Sequence, residues 1–380
     1  MRISSRSEVD SFIVMDVMEA ARQVEDAGQS VIHMEVGQPG TAAPAAAREA
    51  VANAMEQGPL GYTVALGLPA LRARIARLYG EWYDVDLDPG RVVVTAGSSA
   101  GFLLSFLSLF DAGQRVGIAD PGYPSYRNIL RALNLEPVRI EGTLEGRFQP
   151  QPADLTHDLD GVLVASPANP TGSMLGREAL SNLLEAARAN DVAFISDEIY
   201  HGLDYAGQRG VTALELTDEA IVINSFSKYF SMTGWRVGWM VVPESHVRTI
   251  ERLAQNLFIC PSHASQIAAL GAMDATDELE ANRAVYARNR TILLDALTQA
   301  GFADIAPPDG AFYIYANIAA TGLTSRTFTD RLLREAGVAA TPGLDFDKER
   351  GHHTVRFSYA GSTEAIQEGA ERIARFMQQL

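Results

Sequence analysis

An α/β fold with a mainly parallel central sheet flanked by helices, followed by a smaller α+β C-terminal domain, is predicted by three observations. Short, nearly continuous apolar runs recur at residues 92–95, 116–119, 162–165, 192–195, 220–223 and 237–242, bounded by Gly, Pro or Asp. Helical patterns lie among them at 68–79, 177–190 and 246–256, and strands alternating with helices build parallel sheets buried on both faces. After about residue 285 the texture changes to a long helix over 277–300, an apolar run at 310–315, a helix over 327–337, a strand at 355–358 and a terminal helix. An opening helix over 11–27 stops at Gly28, a residue type suited to the left-handed turn that ends helices. The chain thus divides into an N-terminal arm and helix (1–35) that packs on the small domain or on a partner subunit, a large domain (36–284) and a small domain (285–380).

The 380 residues, 47% hydrophobic and 21% charged, exclude a disordered or fibrous chain and suit two or three folded units. A net charge of −16 opposes work on nucleic-acid phosphates or an anionic membrane surface. The single cysteine, Cys260, forms no internal disulfide, and Glu8, Asp10, Asp16 and Glu19 stand where a signal peptide would need apolar residues. The most apolar segment, 101–110, is far shorter than the ~20 residues of a membrane span. A cytoplasmic setting is expected. The two lysines are Lys228 and Lys348. Lys348 lies in a charged run that reads as solvated loop, whereas Lys228 closely follows an apolar run and reads as buried.

In open α/β sheets ligands sit beyond the carboxyl ends of the strands, and there the sequence gathers chemistry. Run 92–95 leads into Gly97-Ser98-Ser99-Ala100 at the start of an apolar helix, where free amides make an anion cradle. No Gly-x-x-x-x-Gly-Lys is present, which argues against a nucleotide P-loop. Run 116–119 leads into Asp120-Pro121-Gly122-Tyr123-Pro124, a rigid turn presenting a ring, and run 162–165 into Ser166-Pro167-Ala168-Asn169-Pro170-Thr171-Gly172, which fixes an amide. Each alone is explained by turn chemistry. Run 192–195 leads into Ser196-Asp197-Glu198-Ile199-Tyr200, and run 220–223 into Ser225-Phe226-Ser227-Lys228, with Arg236 eight residues on. An acid, a lysine and an arginine after successive strands are not surface decoration.

In these motifs, together with Gly37-Gln38-Pro39, Gly61-Tyr62 and Arg356-Phe357-Ser358-Tyr359, the whole chain resembles the class I/II (fold type I) pyridoxal-phosphate-dependent aminotransferases, which include aspartate and aromatic aminotransferases. The resemblance implies pyridoxal 5′-phosphate as cofactor and transfer of an α-amino group between an L-amino acid and a 2-oxo acid by a ping-pong cycle. Lys228 would form the internal aldimine and shuttle the proton, and Asp197 would face the ring nitrogen. Asn169 and Tyr200 would bond the phenolic oxygen, and Tyr123 would stack on the ring. The amides near Ser98, Ser99 and Ala100, with Ser225 and Arg236, would hold the phosphate. Tyr62 would reach the cofactor of the neighbouring subunit, implying a homodimer with shared active sites. Arg356 would fork the substrate α-carboxylate, assisted by the backbone at Gly37.

Two departures bear on substrate fit: Gly40-Thr41-Ala42-Ala43 replaces a common Asp-Phe pair, and Ser98-Ser99-Ala100-Gly101 lacks a frequent Gln or Glu. Residues 257–266 offer only His263 as a second cation for a distal carboxylate, which favours an apolar or small side chain, with Phe12, Ile13 and Tyr62 as pocket walls. His201 reads as a buried, hydrogen-bonded histidine and His352-His353 as loop surface; with Cys260 alone, no zinc set forms. Two alternatives share the cofactor. A C–S β-lyase would use the same lysine and acid. A non-catalytic regulatory domain would need a DNA-binding extension, and only about 35 residues precede Gly37.

Overall fold

The computed structural model describes residues 1–380 except 206 and 208. Helix α1 (Ile13–Asp26) and strand β1 (Ile32–His33) are followed by α2 (Ala45–Gln57) and α3 (Pro69–Tyr83). Next come β2 (Val92–Thr95), α4 (Ser98–Leu109), β3 (Arg115–Asp120), α5 (Pro124–Ala132), β4 (Glu136–Glu141), β5 (Gly161–Ala165), α6 (Arg177–Ala189), β6 (Ala193–Asp197), β7 (Ile221–Ser225) and β8 (Gly238–Val241). Helices α7 (Glu244–Leu257), α8 (His263–Ala272) and α9 (Thr276–Gln299) lead to β9 (Tyr313–Asn317), α10 (Ser325–Ala336), β10 (Val338–Ala339), β11 (Thr341–Pro342), β12 (Thr354–Ser358) and α11 (Thr363–Met377).

Seven strands form one sheet in the order β2-β8-β7-β6-β5-β3-β4, parallel throughout except for β8, which runs against both neighbours. All six apolar runs lie on its strands. Successive side chains leave opposite faces, so Val93, Ile195, Ile221 and Ile223 pack with Phe102 and Phe106 of α4 and Ile250 of α7. Val92, Val94, Val222 and Trp239 pack on the other face with Leu71 and Ile75 of α3 and Leu183 of α6. Burial on both faces explains why the central strands carry so few polar residues. Strand β4, absent from the sequence reading, lies at one sheet edge; exposed Glu136 and Glu141 bound it and Arg139 separates its apolar residues Val138 and Ile140.

Helix α3 continues through Gly80 to Tyr83, four residues beyond its expected end, and stops at Asp84 in the left-handed conformation (φ 58°). Packing of Trp82 on Tyr229 and of Tyr83 on His201 favours the last turn despite the interior glycine, whose cost of about 1 kcal/mol is easily outweighed. The C-terminal part folds around the antiparallel sheet β11-β12-β9. Strand β1 pairs in parallel with β10, tying the N-terminal segment to it. The first free amides of α1, at Ile13 and Val14, donate to the Asp345 carboxylate at 3.1 and 3.3 Å, which caps the helix from a distant loop.

Candidate active site

Strands β2, β3, β5, β6 and β7 point the same way, so their carboxyl ends open on one edge of the sheet. Because β8 runs the other way, Arg236, just before its first residue, meets the same edge. There a cavity of about 210 Å³ is lined by Gly37, Ser98, Ser99, Tyr123, Asn169 and Asp197, and further by Tyr200, Lys228, Arg236 and Arg356. A wider cleft of about 690 Å³ beside α6 lies at the amino ends of β6 and β7, lined by acids such as Asp160, Asp191 and Asp218 and by no lysine, and another of about 640 Å³ lies between α9 and α11.

Lys228 is partly rather than fully buried: its remaining accessible surface belongs to a side chain that lines the cavity. Its Nζ donates to the Gly37 carbonyl at 2.6 Å. Burial, reinforced by Arg356 and Arg236, pushes its pKa down to about 7, against an opposing pull from Asp197. Asp197 is 3% exposed. It accepts hydrogen bonds from the Tyr126 hydroxyl and, at 3.1 Å, from the Ile199 amide. Burial outweighs these bonds and pushes its pKa up to about 6.

Arg356 is buried between the rings of Tyr313 and Phe346, at 4.4 and 4.7 Å from their centroids. Its Nη1 donates to Asn169 Oδ1 at 2.8 Å and its Nη2 to the Glu35 carbonyl. Its Nε has no hydrogen-bond partner among the described residues, leaving a cationic donor in reserve. Asn169 keeps its Nδ2 free of that bond, and the Tyr200 hydroxyl lies 2.7 Å from that of Tyr313. Gly37 is required by Tyr313: a Cβ there would stand 1.7 Å from its hydroxyl oxygen.

At the start of α4, Gly97 has φ +76°, and a Cβ would stand 2.5 Å from Arg236 Nη2. No side chain caps the helix, so the first amides and the Arg236 guanidinium face one small space, a ready anion site. Ser98 and Ser99 line the cavity; Ala100 lies one residue further into α4, outside it. Ser225 does not reach the cavity. Its Oγ sits 2.9 Å from Ser227 Oγ and 3.2 Å from the Val237 carbonyl oxygen, and Ser227 is the hydroxyl that lines the wall. Tyr62 stands on the surface, 84% exposed, away from this chain's own cavity.

Three contributors escaped the sequence reading: Tyr126 beside Asp197, Tyr313 beneath Arg356, and the apolar wall of α1. Phe12 lines the cavity as expected, but Ile13 turns away and Val14, Met15 and Met18 take its place. The helical spacing of positions 14, 15 and 18 was the available signal. His201 is buried, and His352 and His353 are exposed.

The family model for aminotransferase class I and II matches residues 29–373. The valine–pyruvate aminotransferase of Mycobacterium tuberculosis is 46% identical, covering 99% of this chain and 98% of that protein. A crystal structure from Silicibacter pomeroyi superposes with a TM-score of 0.95 at 62% identity over the whole of both chains. The aspartate aminotransferase of Thermus thermophilus with maleate superposes with a TM-score of 0.92 at 29% identity, covering 99% and 100% of the two chains.

Proposed function

The chain belongs to the class I and II aminotransferases, a fold type I enzyme that depends on pyridoxal phosphate, and from that premise we propose how its side chains divide the reaction and which substrates they favour. One observation carries the reading: Lys228 and the buried carboxylate of Asp197 share a single cavity with Arg236 and Arg356. The residues suit the cofactor, since Gly97 keeps clear a space beside Arg236 that a Cβ would fill.

Pyridoxal phosphate, when bound, supplies an electron sink for charge developing at the substrate Cα and carries the amino group between the half-reactions. Lys228 would be the residue that attaches it and the base positioned for the substrate Cα proton; a pKa brought near neutrality keeps a large share of the amine unprotonated. Asp197 holds a proton at the ring nitrogen, kept in place by Tyr126 and Ile199. Asn169 and Tyr200 face the phenolic oxygen and Tyr123 flanks the ring. The first residues of α4, Ser98 and Ser99, with Arg236, would hold the phosphate, and Ser227 is the hydroxyl that lines the same cavity.

Arg356 holds the substrate α-carboxylate beside Gly37, and its unpartnered Nε supports this role. Fixing that carboxylate would orient the Cα–H bond across the plane of the bound ring, the geometry in which the bond breaks most readily. The cations lining the cavity among the described residues are Lys228, Arg236 and Arg356. All three are engaged, and the wall toward α1 is Phe12, Val14, Met15 and Met18. An L-amino acid with an apolar side chain is therefore the favoured donor, in keeping with the name of the M. tuberculosis relative.

A homodimer with shared sites completes the reading. Tyr62 is exposed, as are Val64, Leu257 and Ile259, and a second copy would cover such apolar side chains. Cys260, just before α8, accepts from the Thr63 amide (3.4 Å), and His263, the first residue of α8, lies 3.0 Å from the Gly61 carbonyl oxygen, so the Tyr62 loop is tied to that segment. The division at residue 285 falls within α9, which would link the large and small domains. Among the described residues no helix is long and apolar enough to cross a membrane, and the lone cysteine suits a cytoplasmic setting.

Half-reactions of the purified holoenzyme with a panel of amino acids, followed by the cofactor's absorbance, test this. Valine and other apolar donors should convert the cofactor to its amine form at least ~10-fold more efficiently than aspartate, a discrimination of ~1.4 kcal/mol. A preference for aspartate overturns the substrate assignment. Release of pyruvate and ammonia from cystathionine without a 2-oxo acid would indicate β-elimination instead.

A further inference from the structure

Behind the cavity lies a buried polar cluster that the reaction does not use. His201, one residue beyond Tyr200, is 2% exposed. Its Nε2 lies 2.9 Å from the Ser166 carbonyl oxygen and its Nδ1 2.6 Å from the Tyr83 hydroxyl at the end of α3. A carbonyl only accepts hydrogen bonds, so Nε2 carries the proton, Nδ1 is the acceptor and the Tyr83 hydroxyl is the donor. The surroundings keep the ring neutral: burial pushes its pKa down to about 4, assisted by Arg209. Glu198, on the same turn, places Oε2 3.6 Å from Nδ1, beyond hydrogen-bond distance and with no hydrogen-bond partner among the described residues, while its Oε1 accepts from Ser196 Oγ and the Ala213 amide, both at 2.9 Å.

Ser166 opens the turn that presents Asn169. Its amide donates to the Asp197 carbonyl at 3.1 Å, and its own carbonyl is held by His201. The turn is thus moored twice to the end of β6, and Asn169 in turn accepts from Arg356. A small drift of Ser166 would carry both the Asn169 amide and the arginine anchored to it.

We propose that Tyr83 and His201 are positioning residues: the Tyr83 hydroxyl fixes His201 as the Nε2–H tautomer, and His201, through Ser166, sets where Asn169 stands against the cofactor. The inference rests on the reading above that Asn169 faces the cofactor's phenolic oxygen.

The pH midpoint of the bound cofactor's visible band reports that contact without turnover. In the holoenzyme, His201→Leu should move the midpoint by about half a pH unit or more, in the direction set by Asn169→Ala, and lower kcat about tenfold while KM changes less than about twofold. His201→Gln keeps an N–H where Nε2–H stood and should restore the wild-type midpoint. Tyr83→Phe, which removes one hydroxyl, should shift it partway. In ¹⁵N spectra of histidine-labelled protein, His201 should remain neutral and Nε2-protonated from about pH 5.5 to 8.

An unmoved midpoint in a folded, cofactor-loaded His201→Leu protein, with Asn169→Ala shifted, overturns the positioning role alone. An unmoved midpoint in Asn169→Ala overturns the assignment of Asn169 instead. If His201→Leu fails to fold, Tyr83→Phe and the ¹⁵N spectra decide: an unshifted Tyr83→Phe midpoint or an Nδ1-protonated ring refutes the relay.

Discussion

Replacing Lys228 by methionine should stabilise the cofactor-free protein while abolishing its reaction. A lysine that ordinarily titrates near 10.5 is pushed down to about 7 in the fold, so between those values the unfolded chain binds the proton that the folded one releases. At about 1.4 kcal/mol per pH unit this opposes folding by up to ~5 kcal/mol near pH 6 and by only ~1 kcal/mol near pH 9.5. Water in the cavity screens the charge and makes the first figure an upper bound. Loss of the hydrogen bond to the Gly37 carbonyl returns about 1 kcal/mol. Methionine keeps an unbranched apolar stem, so packing changes little. Urea unfolding of the two apo proteins should therefore show the variant more stable by ~2–4 kcal/mol near pH 6, the gap closing as pH rises toward 9.5. The sign follows from the depressed pKa: stability of the wild type falls as pH drops from about 10.5 toward 7 and levels off below that. A gap independent of pH, or a less stable variant at pH 6, would refute the claim that folding strips this amine of its proton.

Two further substitutions probe the anion sites. Gly97→Ala forces a Cβ at φ +76° to within 2.5 Å of Arg236 Nη2; cofactor affinity, measured by equilibrium titration of the apo protein, should fall at least ~10-fold, and unchanged affinity would remove the cradle. Arg356→Lys exchanges a planar fork stacked between two rings for a point charge. It should lower kcat/KM about 100-fold or more for amino acids of every side chain, at unchanged cofactor content; a loss confined to one class of side chain would show that Arg356 reads the side chain and not the α-carboxylate.

Much of the sheet was legible because double-sided burial leaves a local mark: runs such as 92–95 and 220–223 are apolar in any register. Strand β4 was not, because Glu136, Pro137, Arg139 and Glu141 leave it only Val138 and Ile140 as apolar residues. The extension of α3 past Gly80 was hidden for another reason: its last turn is held by Tyr229 and His201, more than a hundred residues away. At the site, Lys228, Asp197 and Arg236 stood out because charged side chains directly after buried strands need a reason to be there. That Ser227 rather than Ser225 lines the cavity did not show, since two hydroxyls two residues apart differ only in which way the backbone turns them.

The order of residues alone determined which chemical groups this protein could bring to a ligand: one amine next to an apolar run, one carboxylate ending a strand, and arginines spaced to meet them. Tertiary structure decided what those groups became. The protonation of Lys228 and Asp197 is set by chain segments far away in sequence, because a charge responds to everything within a few ångströms regardless of its position along the chain. The Tyr126 hydroxyl on Asp197, the rings around Arg356 and the helix α1 walling the cavity are through-space relations, and they exist only once the chain has closed on itself.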